Sequence, residues 1–441
     1  MKKVFAVLAL LLAFIGNKVA ADDTFDVAAK HAIAVEASTG KVLYEKDATT
    51  PDGIASMTKI LTVYLTYKEI DKGNLSWDTK VPISDYAYDL TANSDASNVP
   101  MEAREYTVEQ LVNAAMVASA NSAAIALAEQ IGGTESKFVD MMQAQLQEWG
   151  INDAKLFNAS GLNNSYLGDN IYPGSSSTDE NTLSARDVAI IALHLITEYP
   201  DVLKISNQAT ADFDGSTMNT YNYMLKGMPY ERDGIDGLKT GTTELAGASF
   251  VATSTENGMR IISVVMNADG WQENEFARFE ATNALLDYVK SNYEMTTLVD
   301  AGESTKSSKA KVIDGKEKTV PAVASQELKV VHRIGTDASV KFSTIAKGYE
   351  ATINKGDKVG SFIYDDKQIV GTGYLDSKPS VPALAKKEVK KAFFLKSGGT
   401  TLSLTSTKNF KTTITFPIIY RKKDKFKNLS LLSHPTEPSI S

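Results

Sequence analysis

Ala55-Ser56-Met57-Thr58-Lys59 opens an apolar-periodic run, Ile60, Leu61, Val63, Tyr64 and Leu65, whose spacing predicts a buried helix. Ser56 and Lys59 are three apart, so on a helix they face the same way. A serine hydroxyl is a poor nucleophile at neutral pH. A lysine one turn on can act as its base, provided burial and a nearby cation lower the pKa of the amine. The helix N-terminus adds backbone N–H groups where negative charge would develop on a substrate carbonyl. The same stretch admits a plainer reading, with Ser56 as an N-cap and Lys59 solvated, and on these residues alone both readings stand.

Working outward, Lys30 to Glu36 alternates Ala32, Ala34 and Glu36 with Ile33 and Val35, and Val42-Leu43-Tyr44 follows the turn residues Ser38-Thr39-Gly40. This predicts a hairpin that delivers the chain to the Ser56 helix, which Lys72-Gly73-Asn74 closes. Thr107 and Gln110 have the spacing of a capping box before a helix through Leu111, Val112, Ala115 and Met116. That helix runs into Ser119-Ala120-Asn121, polar residues inside an apolar segment, which either cap a new helix or line a site. A further helix is expected over Lys137 to Trp149, and Phe157 to Leu162 is turn-rich. Ser184 with Asp187 caps another helix, ended by Pro200. From Gly237 the pattern becomes strands: Leu238-Lys239-Thr240-Gly241-Thr242-Thr243, then Ala248 to Ala252, then an Asn257-Gly258 turn into Met259 to Met266. For Lys239-Thr240-Gly241 alone, a solvated edge lysine is the plain alternative. Arg278 opens a last helix that should pack on the sheet. The fold class expected is α/β, an antiparallel sheet layered with helices, spanning residues 22–295.

Residues 296–382 have strand-like runs between Gly, Lys and Asp turns and no convincing helix, so a smaller all-β domain is expected there. Residues 383–441 form a basic tail: eleven lysines and Arg421 lie between Lys386 and Lys427, against Glu388, Asp424 and Glu437. Leu384, Val389, Ala392 and Phe393 fall near one face of a lysine-rich helix. The net charge of -8 therefore joins an acidic body to a basic end. This argues against nucleic acid as the partner of the body and suits a tail near an anionic surface, though a solvated charge run reads equally well.

At the other end, Lys2-Lys3, the apolar run Val4 to Ile15 and the small residues Ala20-Ala21 have the layout of a signal peptide over residues 1–21. The run falls short of the roughly 20 apolar residues of a membrane span, so export is expected. Cysteine is absent, which rules out disulfides, a thiolate nucleophile and cysteine-held metals. His194 reads as a core residue, and His31, His332 and His434 have no metal spacing or evident carboxylate partner. No GxSxG elbow is present, so a Ser-His-Asp hydrolase has little support.

Three short motifs in a fixed order say more than any one of them. Ser56-x-x-Lys59, Ser119-x-Asn121 and Lys239-Thr240-Gly241 form the serine, polar-loop and strand-edge set of β-lactamases and penicillin-binding proteins. On these residues, with Tyr106-Thr107-Val108, Phe157 to Leu162, Ser184 to Asp187 and Gly237 to Ala248, the chain resembles the low-molecular-mass penicillin-binding proteins, D-alanyl-D-alanine carboxypeptidases of the penicillin-binding protein 3 type. The similarity runs to about residue 396.

The resemblance implies a serine D,D-carboxypeptidase that removes the last D-alanine from peptidoglycan stem pentapeptides and is acylated by β-lactams, with no cofactor or metal. Ser56 would attack the carbonyl and Lys59 would be the base. Ser119 and Lys239 would relay the proton to the leaving amine, Asn121 would hold the substrate amide, and the N–H groups of Ser56 and Thr242 would form the oxyanion hole. Thr240 and Arg278, with Gly241 and Thr242 beside them, would receive the terminal carboxylate. Two departures stand out: Ser122 follows Asn121 where relatives often have aspartate, and the sequence after Ser397 reads as an altered end of the family's amphipathic membrane anchor. The protein is then expected at the outer face of the cytoplasmic membrane or in the wall, or released. A serine β-lactamase is the alternative, since Glu180-Asn181-Thr182-Leu183-Ser184 comes near its ExxLN loop; a non-catalytic cell-wall binding protein is another.

Overall fold

The computed structural model describes residues 24–397 and 400–403. The signal-peptide reading, and the tail from residue 404 on, lie outside the described residues.

Strands β1 (Ala29–Glu36) and β2 (Lys41–Lys46) form the expected hairpin. Its tight turn is held by Glu36, whose carboxylate accepts from Ser38 and Thr39. A 3-10 turn, Ala55–Thr58, leads into helix α1 (Lys59–Asp71), with Gly73 past its end in the left-handed region that suits glycine. Helix α2 (Val108–Met116) starts on the Thr107–Gln110 capping box. Helix α3 (Asn121–Gly132) follows after four residues, and α4 (Glu135–Glu148) is capped by Thr134. The Ser184–Asp187 box opens α5 (Ala185–Glu198). Strands β3 (Ile235–Thr243), β4 (Gly247–Glu256) and β5 (Met259–Ala268) come next, with Asn257 and Gly258 both at positive φ in the turn between β4 and β5. Helix α6 (Ala277–Asn292) ends this part.

The five strands form one antiparallel sheet in the order β2-β1-β5-β4-β3. Strand alternation puts Ile33 and Val35 of β1 on one face and Ala32 and Ala34 on the other, and both faces are covered. Ile33, Val35, Val251, Val264 and Met266 pack against α1 to α5. Ala32, Ala34, Phe250, Ile261 and Val265 pack against Leu285, Leu286 and Val289 of α6. Helix α1 is buried from Lys59 to Tyr67, as an all-round apolar helix in the middle of a layer should be. These observations give an α/β domain with helix α1 beneath an antiparallel sheet.

The second domain is all-β among the described residues. Tyr293–Val299 pairs with Leu328–Arg333, and six strands form a second sheet in the order Val340–Ser343, Lys358–Tyr364, Ser380–Ala385, Thr319–Ala324, Lys309–Ile313, Tyr349–Glu350. Val320, Ala322, Phe362, Ala383 and Val389 share its core. Its junction with the first domain is polar and buried. Lys41 Nζ of β2 lies 2.7 Å from Asp366 Oδ2, which also accepts from Tyr374 Oη at 2.6 Å. Arg186 donates to Thr372 Oγ1 and to the Tyr374 and Leu375 carbonyls.

The helix expected around Leu384 is replaced by strand. Ser380–Ala385 pairs with Thr319–Ala324 on one side and Lys358–Tyr364 on the other, and its buried side chains, Val381, Ala383 and Ala385, recur every second residue. Two ladders satisfy this backbone, and Pro382 within it disfavours a helix. Described separately, the segment from Lys391 contains a hairpin of Phe394–Ser397 with Thr400–Ser403.

Candidate active site

Ser56 sits in the 3-10 turn just before α1, and this turn is distorted: Ala55 before it has φ 45°, a left-handed conformation unusual for a residue with a Cβ. The distortion has a visible cause. Gly161 packs so tightly on the turn that a Cβ there would lie 1.8 Å from the Ala55 carbonyl oxygen. On the other side a Cβ at Gly241 would lie 2.7 Å from the Ile54 oxygen and 3.2 Å from the Ser56 nitrogen. Glycine is required at both positions, and β3 is thereby pressed against the backbone of the serine.

Lys59, in the first turn of α1, is fully buried rather than solvated. Its Nζ lies 2.8 Å from Ser56 Oγ, 2.7 Å from Asn121 Oδ1 and 2.7 Å from the Ser160 carbonyl oxygen. A neutral amine has two hydrogens to donate and one lone pair. With Asn121 and Ser160 accepting the hydrogens, the lone pair is left for the hydroxyl proton of Ser56. Burial, reinforced by the charge of Lys239, holds Lys59 well below the usual lysine range. Lys239 is itself buried, donates to the Thr240 carbonyl at 3.0 Å, and is brought to about 7 by burial and by the Arg278 guanidinium. Neither lysine carries a carboxylate partner among the described residues, so only neutral oxygens offset the cost of their charge.

Ser119 has φ 56° and is 4% exposed, at the end of the short connection between α2 and α3. Asn121 begins α3, donates to the Ser97 carbonyl at 2.9 Å and turns its oxygen to Lys59. The tripeptide therefore both opens a helix and meets Lys59, and Ser119 lines the same cleft as Ser56. Arg278, in the first turn of α6, reaches back over β3: Nη1 donates to the Gly241 and Ser249 carbonyls, Nη2 to Thr242 Oγ1 at 2.7 Å, and its buried Nε has no partner among the described residues. Thr242 accepts from the guanidinium and so keeps its own hydroxyl proton available to donate.

A cleft of about 560 Å³ opens over these groups. Ser56, Ser119, Thr240, Gly241, Thr242 and Arg278 line it, while Lys59, Asn121 and Lys239 lie beneath. Its walls include Tyr221, Tyr223, Trp271 and Phe276, which the sequence reading did not single out because they sit on loops without a motif. Tyr221 Oη lies 3.4 Å from Ser97 Oγ across the rim. The Ser160 carbonyl was also missed, being a backbone group with no residue signature.

The histidines behave differently from expectation. His194 is half-exposed, stacked on Trp149 and bonded to Glu198, because its position on α5 faces the surface. His31 does have carboxylate partners, Asp52 at 3.2 Å and Asp47 at 3.0 Å, which neighbouring chain segments supply. Glu180 is 5% exposed and spends its carboxylate on Asn163 Nδ2 and Thr243 Oγ1, tying the preceding loop to the end of β3.

Residues 17–270 match the family described as D-alanyl-D-alanine carboxypeptidase, and residues 293–391 match the C-terminal domain of penicillin-binding protein 5. The chain is 30% identical to the D-alanyl-D-alanine carboxypeptidase DacF of Bacillus subtilis over 378 residues, 83% of this chain and 87% of the relative. Among solved structures it is similar to a peptidoglycan synthesis regulatory factor (PBP3) from Streptococcus pneumoniae, with 53% identity, a TM-score of 0.76, and coverage of 83% of this chain and 100% of that one. It is also similar to penicillin-binding protein D2 from Listeria monocytogenes in its ampicillin-bound form, with 28% identity, a TM-score of 0.50, and coverage of 60% and 98%. A serine and buried lysine under an open cleft, in a chain matched over both domains, place this protein in the D-alanyl-D-alanine carboxypeptidase family, the serine peptidases of family S11.

Proposed function

We propose that Ser56 is the acylated serine of this D,D-carboxypeptidase, and that the chain removes the terminal D-alanine of peptidoglycan stem pentapeptides. The observation that carries the reading is the Lys59 amine, buried with no counter-ion among the described residues and 2.8 Å from Ser56 Oγ. Lys59 takes the hydroxyl proton as Oγ bonds to the penultimate D-alanine carbonyl carbon. The N–H groups of Ser56 and Thr242 stabilise the oxyanion. The proton passes through Ser119 and Lys239 to the leaving amine, the C–N bond breaks, and D-alanine departs. Asn121 holds the substrate amide. Thr240, Thr242 and the guanidinium of Arg278 receive the terminal carboxylate. Water then attacks the ester, Ser56 recovers its proton, and the tetrapeptide leaves.

A β-lactam presents a similar carbonyl and carboxylate, and its acyl-enzyme on Ser56 blocks the site. The ampicillin-bound relative supports this reading. The β-lactamase alternative is disfavoured by Glu180, whose two carboxylate oxygens are already engaged in holding a loop to β3. The work place that suits this substrate is outside the cytoplasmic membrane, with export by the signal segment and the basic tail near the anionic surface. Among the described residues no helix is long and apolar enough to cross a membrane.

Mass spectrometry after mixing with penicillin and with a synthetic stem pentapeptide tests the reading. A lasting adduct on Ser56 and loss of one alanine from the peptide are expected, and both vanish in Ser56→Ala. Rapid steady turnover of penicillin would favour the β-lactamase, and wall binding unaltered in Ser56→Ala with no adduct in the native protein would favour the non-catalytic alternative.

A further inference from the structure

Lys59 depends for its orientation on a backbone carbonyl, that of Ser160, and the question is what holds this carbonyl in place. Three consecutive peptide planes precede and include it, and every polar group in them is engaged. In the first plane the Asn158 carbonyl accepts from Asn181 Nδ2 at 2.8 Å and the Ala159 N–H donates to Glu135 Oε1 at 2.8 Å. In the second the Ala159 carbonyl accepts from Thr62 Oγ1 at 2.7 Å and the Ser160 N–H donates to Asn158 Oδ1 at 3.2 Å. In the third the Ser160 carbonyl accepts from Lys59 and the Gly161 N–H donates to Asn158 Oδ1 at 2.6 Å.

Most of these partners belong to the loop itself or to its neighbours in the catalytic turn. Glu135 does not. It is the first residue of α4, where an acidic side chain ordinarily faces water and complements the helix N-terminus. Here it turns inward, is 7% exposed, and divides its oxygens between the Ala159 N–H and Tyr86 Oη at 2.9 Å. An apolar residue of the same size would fill this space without the cost of burying a carboxyl, so the oxygen has a specific use.

We propose that Glu135, outside the cleft, is a positioning residue for the base: its hydrogen bond to the Ala159 N–H fixes the segment whose Ser160 carbonyl aims the Lys59 amine at Ser56. The proposal rests on the reading of Lys59 as the base for acylation. Thr62, three residues after Lys59 on α1, clamps the same segment from the opposite side, so the base and one of its supports ride on one rigid helix. The groups facing Glu135 are Tyr86 of the short helix Asp85–Asp89, the Ala159 N–H, and Glu129 of α3, which repels its charge. Burial brings the Glu135 carboxyl to about 7, so the neutral acid is well populated at neutral pH, and an amide can replace it.

The test follows penicillin acylation and D-alanine release, with kcat and KM measured separately, in Glu135→Gln and Glu135→Leu. Glutamine keeps an oxygen for Ala159 and a donor for Tyr86, and leucine keeps only the volume. In folded Glu135→Leu the acylation rate constant and kcat are expected to fall by about 10- to 100-fold with KM unchanged, as for a misplacement of ~1 Å, while Glu135→Gln stays within about threefold. Native rates in Glu135→Leu, a change confined to KM, or an equal loss in Glu135→Gln would each overturn the proposal. If the leucine variant does not fold, Glu135→Asp withdraws the acceptor by one methylene and carries the same test: native kcat in that folded variant overturns it. Failure of the native protein to acylate at all would instead overturn the reading of Ser56.

Discussion

The Ser160 carbonyl oxygen meets Lys59 Nζ at 2.7 Å although 101 positions separate the two residues in the chain. With Asn121 Oδ1 it takes up both hydrogens of a neutral amine, and the direction of the remaining lone pair follows. Lys59→Arg should therefore be far more damaging than a conserved charge would suggest. A guanidinium stays protonated, has no lone pair to offer, and is larger than the enclosed site. Acylation by penicillin should fall about 100- to 10,000-fold, the usual worth of a general base. Stopped-flow or gel-based acylation rates check this, and a loss of less than tenfold would refute the role of the amine.

Lys239 and Arg278 extend the same electrostatic argument. Below about pH 7 Lys239 is charged and opposes a proton on Lys59; Lys239 in turn is held down by burial and Arg278. On the proposed reading Lys59 acts as a neutral amine, so acylation should decline as the pH falls. Removing the neighbouring charge in Lys239→Gln makes Lys59 easier to protonate, so the acid limb should move to higher pH. The maximal rate should also fall with the loss of the relay. A pH–rate profile whose acid limb stays put or moves down would contradict the coupling.

Gly161 has φ 84° and touches the Ala55 carbonyl. Gly161→Ala combines a strained backbone with a collision against main-chain atoms that have little room to retreat. A loss of about 3 kcal/mol in stability is expected, measured by urea unfolding, together with slower acylation because the displaced turn carries Ser56. Unaltered stability and rate would mean that the turn yields more easily than its contacts imply.

At the domain junction Lys41 and Asp366 are both nearly unexposed and bonded to each other. Burial lowers the Lys41 ammonium, against the pull of Asp366; burial raises the Asp366 carboxyl, but hydrogen bonds from Lys41, Tyr374 and Gln368 outweigh it and hold it low. Lys41→Met strands the carboxylate and should cost about 3–5 kcal/mol. The double variant Lys41→Met with Asp366→Leu should recover most of that loss. Calorimetry of the four proteins gives the coupling energy, and additive losses would refute it.

How much of this was legible in the sequence varies with the kind of interaction. Hairpins and helix starts were legible because their signals are local: Gly40, Asn257-Gly258, Thr107 with Gln110, Ser184 with Asp187. Ser56 and Lys59 could be read as facing the same way because they share one helical turn. The Ser160 carbonyl could not, since any residue has one and only the long-range fold aims it. The segment around Leu384 misled because Leu384, Val389 and Ala392 mimic a helical period, whereas the ladders on both sides of Ser380–Ala385 decide its conformation. The surface placement of His194 and the inward turn of Glu135 depend on how whole helices pack, which short windows do not record.

The sheet that carries Lys239 is closed only when β1 pairs along β5, from Ala29 opposite Ala268 to Glu36 opposite Ile261. Synthesis reaches the serine and its base early, long before the strands that complete their surroundings. An unfinished chain that stops before β3 therefore contains Ser56 and Lys59 without Lys239, whose charge lowers the Lys59 amine further, and without the β3 backbone that presses on the turn of Ser56. Pairing so distant in sequence forms slowly, so the surroundings of Ser56 and Lys59 are completed only when β1 and β5 meet.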